Sequence, residues 1–397
     1  MGKIRPTFHY SLILGVFWAS YAAVFAYCSV FLIAKGFTNS QIGYVIAAGG
    51  VLSALLQPVF GGIADKSRKC VLHKLITLIS LVMILAAGLL LAFGRIFWVT
   101  ALLYGCLIVF LQINTPLTNS IGMFFRKKGV NVDFGIARGI GSLAYAGLSS
   151  LLGILTENYS VSTVMYSVII IYVLLIIFVL TFHFKGVDET NEIRENEDEI
   201  SNASTFMEFV KAHKRFMIVL AGGVCLFISH NVIGNYMYQI VTYRGYTGRE
   251  MGFATSLMAA AELPTLFLLT LILRRFKTGT LIRVASLFMF VKAGILVFAT
   301  TIGMIYFATA FQMLGFGLFV GVSVYYVSQT IEPENQVRGQ ALMTMITTVG
   351  SVIGSFVAGI LLDKTSVQVM LVFSAAIALV GVVIVGIFAE QGRTEKA

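Results

Sequence analysis

Twelve apolar stretches run through this chain, near 8–34, 40–64, 70–93, 96–121, 135–156 and 162–183, then 214–242, 250–273, 280–300, 303–329, 338–362 and 367–389. A helix needs about 20 such residues to cross a hydrocarbon layer ~30 Å thick, and each stretch is long enough. Composition agrees: 58% of residues are hydrophobic and 12% charged, against roughly 25% charged in a soluble domain. Mean hydropathy is +0.90. No soluble core could hide that much apolar surface, so lipid must be the solvent. The fold class expected is an all-α membrane protein of twelve transmembrane helices.

The formal net charge of +10 does not point to nucleic acid, because the basic residues sit between the spans. Assigned to alternate sides of a membrane, 21 of the 28 Lys and Arg fall on one side and five on the other. Arg138 and Lys292 stay inside. This bias places both termini in the cytoplasm of a multi-pass plasma-membrane protein, with a bacterial cytoplasmic membrane expected. The first stretch, after Lys3 and Arg5, is too long for a signal-peptide core and lacks a small-x-small cleavage site, so it is read as the first helix.

Chemistry-bearing motifs are missing. Cys28, Cys70, Cys106 and Cys225 share no metal-ligand or CxxC spacing. There is no HExxH, GxSxG, P-loop or paired-carboxylate motif, which argues against an enzyme, a cofactor, a metal site or a primary pump. The mid-membrane charges are mixed in sign, which disfavours a channel. A non-transporting sensor stays open as an alternative.

One segment breaks the apolar pattern: the acidic run from Lys185 to about Ser204 reads as a solvated linker. After it, residues 206–216 read as an amphipathic surface helix whose Phe206 and Phe209 dip into lipid. The expected organisation is a six-helix half over 1–183, a linker with that helix over 184–213, and a second six-helix half over 214–397. The halves echo each other. Gly153-Ile154-Leu155 before Ser160-Val161 matches Gly359-Ile360-Leu361 before Ser366-Val367, Ala137-Arg138-Gly139 matches Val337-Arg338-Gly339, and Gln41-Ile42-Gly43-Tyr44 matches Glu250-Met251-Gly252-Phe253. Three echoes in the same order mark a duplication.

Parallel six-helix repeats resemble the major facilitator fold, in which the substrate site lies at mid-membrane between the halves. Gly61-Gly62-Ile63-Ala64-Asp65-Lys66-Ser67-Arg68-Lys69 resembles the superfamily's cytoplasmic G-x-x-x-D-[RK]-x-G-[RK]-[RK] loop, without its second glycine. The resemblance implies a gating role for Asp65, Lys66 and Arg68. Phe134-Gly135-Ile136-Ala137-Arg138-Gly139-Ile140-Gly141-Ser142 is similar to the F/Y-G-x-x-R-x-x-G-S/C stretch of the lactose permease and phenylpropionate-transporter-like group. That likeness implies sugar binding by Arg138, ring stacking by Tyr145, proton coupling at Glu262, and a cation at Lys292 where the group carries arginine. It also departs from the group. Asn119 stands where the group has a glutamate partner for the arginine. Gly315, Phe316 and Gly317 stand near the group's span-ten histidine and glutamate, so lactose itself is not implied.

Physical reasoning reaches the same charges. A charged side chain at bilayer depth costs on the order of 2.5–3.5 kcal/mol even on insertion scales, which makes Arg138, Glu262 and Lys292 the first candidates. Arg138 and Tyr145, seven apart, share a helical face about 10 Å apart. Alternatives accompany each: Arg138 snorkelling, Glu262 and Lys292 as a structural ion pair, His230 as an interhelical histidine. Polar stripes at Asn231, Asn235 and Tyr238, and at Gln112, Pro116 and Asn119, either glue helices or line a site. Tyr21 joins the aromatic face of the first span as a possible site residue. The function expected is a proton-coupled symporter of a small polar solute, a sugar or oligosaccharide first. Substrate binding would use Arg138, Tyr145, Asn119, Asn231, Asn235 and Tyr21, and coupling would use Glu262, Lys292 and His230. Uptake of an aromatic or organic acid or a nucleoside, and efflux of a drug or sugar, are the alternatives. Expected partners are the solute, protons and the lipid bilayer, with a monomeric chain and the proton gradient in place of a cofactor.

Overall fold

The computed structural model describes residues 6–65, 69–127, 130, 132–182 and 206–390. Among them twelve helical spans are long and apolar enough to cross a membrane, in the positions expected from the sequence. Spans 2 to 6 are Asn39–Asp65, Lys69–Phe93, Phe97–Lys127, Phe134–Asn158 and Thr163–Thr181. Spans 8, 9, 11 and 12 are Gly248–Arg275, Thr278–Phe298, Gln336–Lys364 and Val367–Phe388. Large apolar side chains such as Leu85, Trp98, Leu102 and Phe267 point outward and are more than half exposed, as lipid-facing residues should be.

Three spans are not continuous. Span 1 runs Pro6–Tyr21, widens over Ala22–Ala26, and resumes as Cys28–Ala34. The widening is an i→i+5 turn in which Tyr27 N–H donates to the Ala22 carbonyl at 3.2 Å. Span 7 stops at Asn235 and restarts at Met237, with Tyr236 between them. Span 10 is Ile302–Ala310 and Leu318–Thr330 joined through a second widened turn, Met313–Gly317.

The chain packs into two compact units. One gathers the described parts of Met1–Glu189 with Gly234–Ala260 and Ser355–Thr365; the other gathers those of Thr190–Ile233, Ala261–Gly354 and Ser366–Ala397. In the first unit, span 1 packs chiefly on span 5, span 3 on spans 4 and 6, and span 2 on span 4. In the second, span 9 packs on spans 10 and 12.

The first unit also shows the duplication in three dimensions. Gly36 and Gly245, 209 positions apart, both take left-handed φ values (86° and 83°) in the turns after spans 1 and 7, a conformation a side chain would strain. The helices that follow open with matched capping boxes. Thr38 N–H donates to Gln41 Oε1 at 2.9 Å, and Thr247 N–H donates to Glu250 Oε2 at 2.8 Å. Asp363 then caps span 2 from the far end of span 11, accepting from Asn39 N–H at 3.0 Å and Ser40 N–H at 2.7 Å.

The helix expected after the linker is present at Phe206–Ala212, but its orientation corrects the sequence reading. Phe206 is exposed, whereas Phe209 is fully buried in the core of the second unit with Phe216, Leu281 and Tyr326. His213 stacks on Phe209 at 4.5 Å, and Arg338 lies over the same ring at 5.6 Å. Packing against protein, not lipid, claims that ring. The linker residues 184–205 lie outside the described residues.

Candidate functional site

Two clusters of polar side chains within the spans stand out, one in each unit. In the first unit, span 5 begins under the Asp133 cap, whose side chain accepts from Ile136 N–H. One turn later it delivers Arg138. The guanidinium carbon lies 3.7 Å from the centre of the Trp18 ring, and Nη1 donates to Ser142 Oγ at 2.9 Å. Gly141 makes room for the indole: a Cβ there would lie 2.7 Å from Trp18 Cδ1. Trp18 stacks on Tyr21 at 4.9 Å, and Tyr21 stacks on Phe25 at 5.6 Å. The Tyr21 hydroxyl shares a 2.7 Å hydrogen bond with Thr115 of span 4. A guanidinium over an indole, continued by two more rings, is a cation–π stack that fixes the plane of the Arg138 fork.

Asn119 lies one helical turn beyond Thr115 on span 4. Its carbonyl and that of Thr118 each face the Tyr10 hydroxyl at 3.3 Å. Its side-chain Oδ1 and the Trp18 Nε1 are both buried with no hydrogen-bond partner, leaving one acceptor and one donor unspent. Tyr145, half-buried, lies further along span 5, within electrostatic reach of Tyr27.

In the second unit the charges meet through a residue the sequence reading passed over. Lys292 of span 9 is buried and donates from Nζ to Gln312 Oε1 at 2.8 Å. Gln312 in turn donates from Nε2 to Glu262 Oε1 at 3.1 Å. His230 of span 7 lies within electrostatic range of Lys292 and stacks face-to-face on Phe316, ring centres 4.3 Å apart. Its Nδ1 is buried without a hydrogen-bond partner. Gln312 thus links Lys292 to Glu262, and His230 lies near Lys292. An amide in the apolar middle of the span, three residues before Gly315 and five before Gly317, was the available signal.

In the span-seven stripe Asn231 and Asn235 share a face turned to span 11, and only Tyr238 lies past the break in the helix. Asn231 donates to the Phe227 carbonyl at 2.8 Å and, more weakly, to that of Thr347 at 3.5 Å, in the second unit. Asn235 donates to Ser355 Oγ at 2.8 Å in the first. The break at Tyr236 interrupts the helical register before Tyr238. Both asparagines bond to span 11, which is helix-joining geometry. Gln112 likewise ties span 4 to span 2, accepting from Ser53 Oγ at 2.9 Å. Of the loop residues, Asp65 ends span 2 with its side chain outside the described residues, and Lys66 and Arg68 also lie outside them. No group of His, Cys, Asp or Glu suited to a metal ion occurs among the described residues.

The model of the MFS_1 like family matches residues 7–375. No curated protein sequence matches the chain. Among solved structures, it is similar to a mutant form of the nucleoside transporter NupG, with TM-score 0.79 and 13% identity over 96% of this chain and 98% of that one. It is similar to a bacterial homologue of the human lysosomal transporter Spinster, inward-facing and unoccupied, with TM-score 0.67 and 13% identity over 100% of both chains. It is also similar to an auto-inhibited POT family peptide transporter, with TM-score 0.73 and 11% identity over 97% of both.

Proposed function

Because the chain belongs to the MFS_1 like family and is a major facilitator transporter, we propose that it is a proton-coupled symporter of a small, polar, ring-bearing solute, a sugar or oligosaccharide first. The observation that carries this reading is the Lys292–Gln312–Glu262 array. A carboxylate and an ammonium are costly at membrane depth, and an ion pair retained only for stability is often no better than apolar packing. A carboxylate that shares one amide with a neighbouring ammonium is suited to take and release a proton as that network rearranges. Arg138 and the Trp18–Tyr21–Phe25 stack supply the other half of the chemistry: fixed donors beside aromatic rings suit the hydroxyls and faces of a cyclic solute. Asn119 offers an acceptor. Tyr145, Asn231 and Asn235 enter this reading as supporting groups, and His230 as a second titratable neighbour of Lys292.

In this reading both termini face the cytoplasm of a bacterial plasma membrane, and the halves 1–183 and 214–397 alternate access as a monomer. The loop at Asp65, Lys66 and Arg68 acts as a gate on the cytoplasmic side.

A nucleoside is the second reading. The three-ring stack in span 1 favours it, since a nucleobase presents a π-face that a pyranose lacks, and the likeness to NupG is in keeping with it.

The deciding experiment is uptake into proteoliposomes under an imposed pH gradient, inside alkaline, with radiolabelled sucrose, maltose, uridine and benzoate. Accumulation of a neutral sugar, abolished in Glu262→Gln while exchange across equal pH persists, is the expected result. Accumulation of uridine alone selects the second reading. Uptake of benzoate alone, or accumulation untouched by Glu262→Gln, sinks the proposal.

A further inference from the structure

Span 10 approaches Glu262 through its widened turn, and several contacts build that approach. Gln312 starts the turn, its carbonyl accepting from Gly317 N–H five residues on at 3.0 Å. A Cβ at Gly317 would lie 3.4 Å from Glu262 Cα, and one at Gly315 would lie 3.1 Å from Met289 Cγ and 3.2 Å from Met289 N. The two glycines therefore let span 10 pack closely on spans 8 and 9. Thr265, three residues after Glu262, donates to the Met313 carbonyl at 2.7 Å. Turns of this kind are rare inside helices and concentrate at functional sites.

The chemistry of the three side chains fixes how the amide points. A lysine ammonium has donors only, and an ionised carboxylate has acceptors only. Gln312 meets the first with Oε1 and the second with Nε2. The flipped amide would set NH2 against ammonium and carbonyl against carboxylate, so one orientation is held while both neighbours are ionised. When Glu262 binds a proton, it becomes neutral and able to donate, and the Nε2 bond loses its charge assistance. The proton comes from hydronium, which leaves as water, and within the protein only the new Glu262 O–H bond is formed. Gln312 is then held chiefly by Lys292.

We propose that Gln312 is the positioning residue that transmits protonation of Glu262 to Lys292 and to the widened turn of span 10. The proposal rests on Glu262 being the proton-binding group of the function above. The titratable neighbours of this array are Lys292 on span 9 and His230 on span 7. His230 reports on the same turn, because Phe316 within it carries the histidine stack.

No substrate is needed to test this. Infrared titration of the purified full chain in nanodiscs follows the protonated carboxyl band, assigned to Glu262 by its loss in Glu262→Gln. Hydrogen exchange of peptides from 302–330, corrected for intrinsic pH dependence, follows span 10 over the same titration. In the wild type, protection of span 10 is expected to change with the Glu262 midpoint, and in Glu262→Gln to stay flat. In Gln312→Leu the carboxyl band should still titrate, while the linked change in span 10 falls at least threefold. Gln312→Asn, too short to bridge both partners, should behave the same way and stands in if the leucine variant does not fold. Wild-type linkage in both Gln312 variants, with Glu262→Gln flat, overturns the positioning role alone. Linkage that survives Glu262→Gln overturns the role of Glu262 as well.

Discussion

Tyr27 and Tyr236, 209 positions apart, sit at equivalent bends of spans 1 and 7, and each donates its hydroxyl at 2.7 Å to a serine carbonyl, Ser149 and Ser355 respectively. Each pair is overlaid by a glycine of the other half of the sequence, all within the first unit. A Cβ on Gly252 would lie 2.5 Å from both Ser149 O and Tyr27 Oη; one on Gly43 would lie 2.4 Å from Ser355 O and 2.9 Å from Tyr236 Oη. Ser29 adds a hydrogen bond to the Asn235 carbonyl at 2.6 Å. Spans 2 and 11, and spans 5 and 8, thus meet backbone to backbone at the side of the 1–2 and 7–8 turns.

Gly43→Ala and Gly252→Ala should open this contact, because the obstructing atoms are backbone carbonyls that cannot swing away. Overpacking of this kind costs about 1–3 kcal/mol, enough to shift an equilibrium between open and closed forms by roughly five- to 150-fold. Cys28, next to Tyr27 and fully buried, is a native reporter. In a background where it is the sole cysteine, its alkylation by a maleimide should quicken by about fivefold or more in either variant; an unchanged rate would refute the contact's role.

Asp363→Ala removes the cap that span 11 places on span 2. Three hydrogen bonds to Asn39 and Ser40 are lost. The carboxylate is exposed, so the expected cost is near that of an ordinary helix cap, about 1 kcal/mol. Thermal unfolding in detergent measures the cost, and Asp363→Asn should recover part of it.

Asn114→Leu should stabilise the protein. Asn114 is fully buried, and neither of its side-chain polar atoms has a partner. An unsatisfied buried group costs about 1–3 kcal/mol, and leucine has a similar shape without that penalty. A lowered midpoint of unfolding would mean that Asn114 is satisfied by bound water or solute.

Trp18→Ala should raise the half-saturation concentration for the transported solute by about tenfold, whereas Trp18→Phe should lose less. The ring holds the Arg138 guanidinium at 3.7 Å, and a partly desolvated cation–π contact contributes about 1–2 kcal/mol. Arg138→Lys should not restore binding, because an ammonium lacks the planar fork. Equal affinities in wild type and Trp18→Ala would remove the stack from substrate recognition.

Phe209→Ala should loosen the short helix Phe206–Ala212 from the second unit, at a cost of about 3–5 kcal/mol for a buried phenylalanine. Limited proteolysis of the intact chain should then cut near residues 206–212 several-fold faster, and Phe206→Ala, at an exposed ring, should leave the rate unchanged.

The sequence by itself determined the twelve spans, their order and the duplication that relates Gly43 to Gly252 and Gly153 to Gly359. Hydropathy and turn residues act locally, so a segment of about 20 apolar residues declares itself without its neighbours. Arg138, Glu262 and Lys292 were legible for the same reason: a charge in an apolar run is conspicuous wherever the run packs. Tertiary structure decided what each of them meets. Gln312 carries no charge and reads as one polar residue in an apolar span until the widened turn inserts its amide between Lys292 and Glu262. Phe209 reads as a lipid-facing ring until its contacts with Phe216 and Arg338 claim it. Asn231 and Asn235 read as a polar face that either glues helices or lines a site until Thr347 and Ser355 of span 11 take them as partners. In each case the deciding interaction joins residues far apart in the chain, and no local pattern encodes which distant group will arrive.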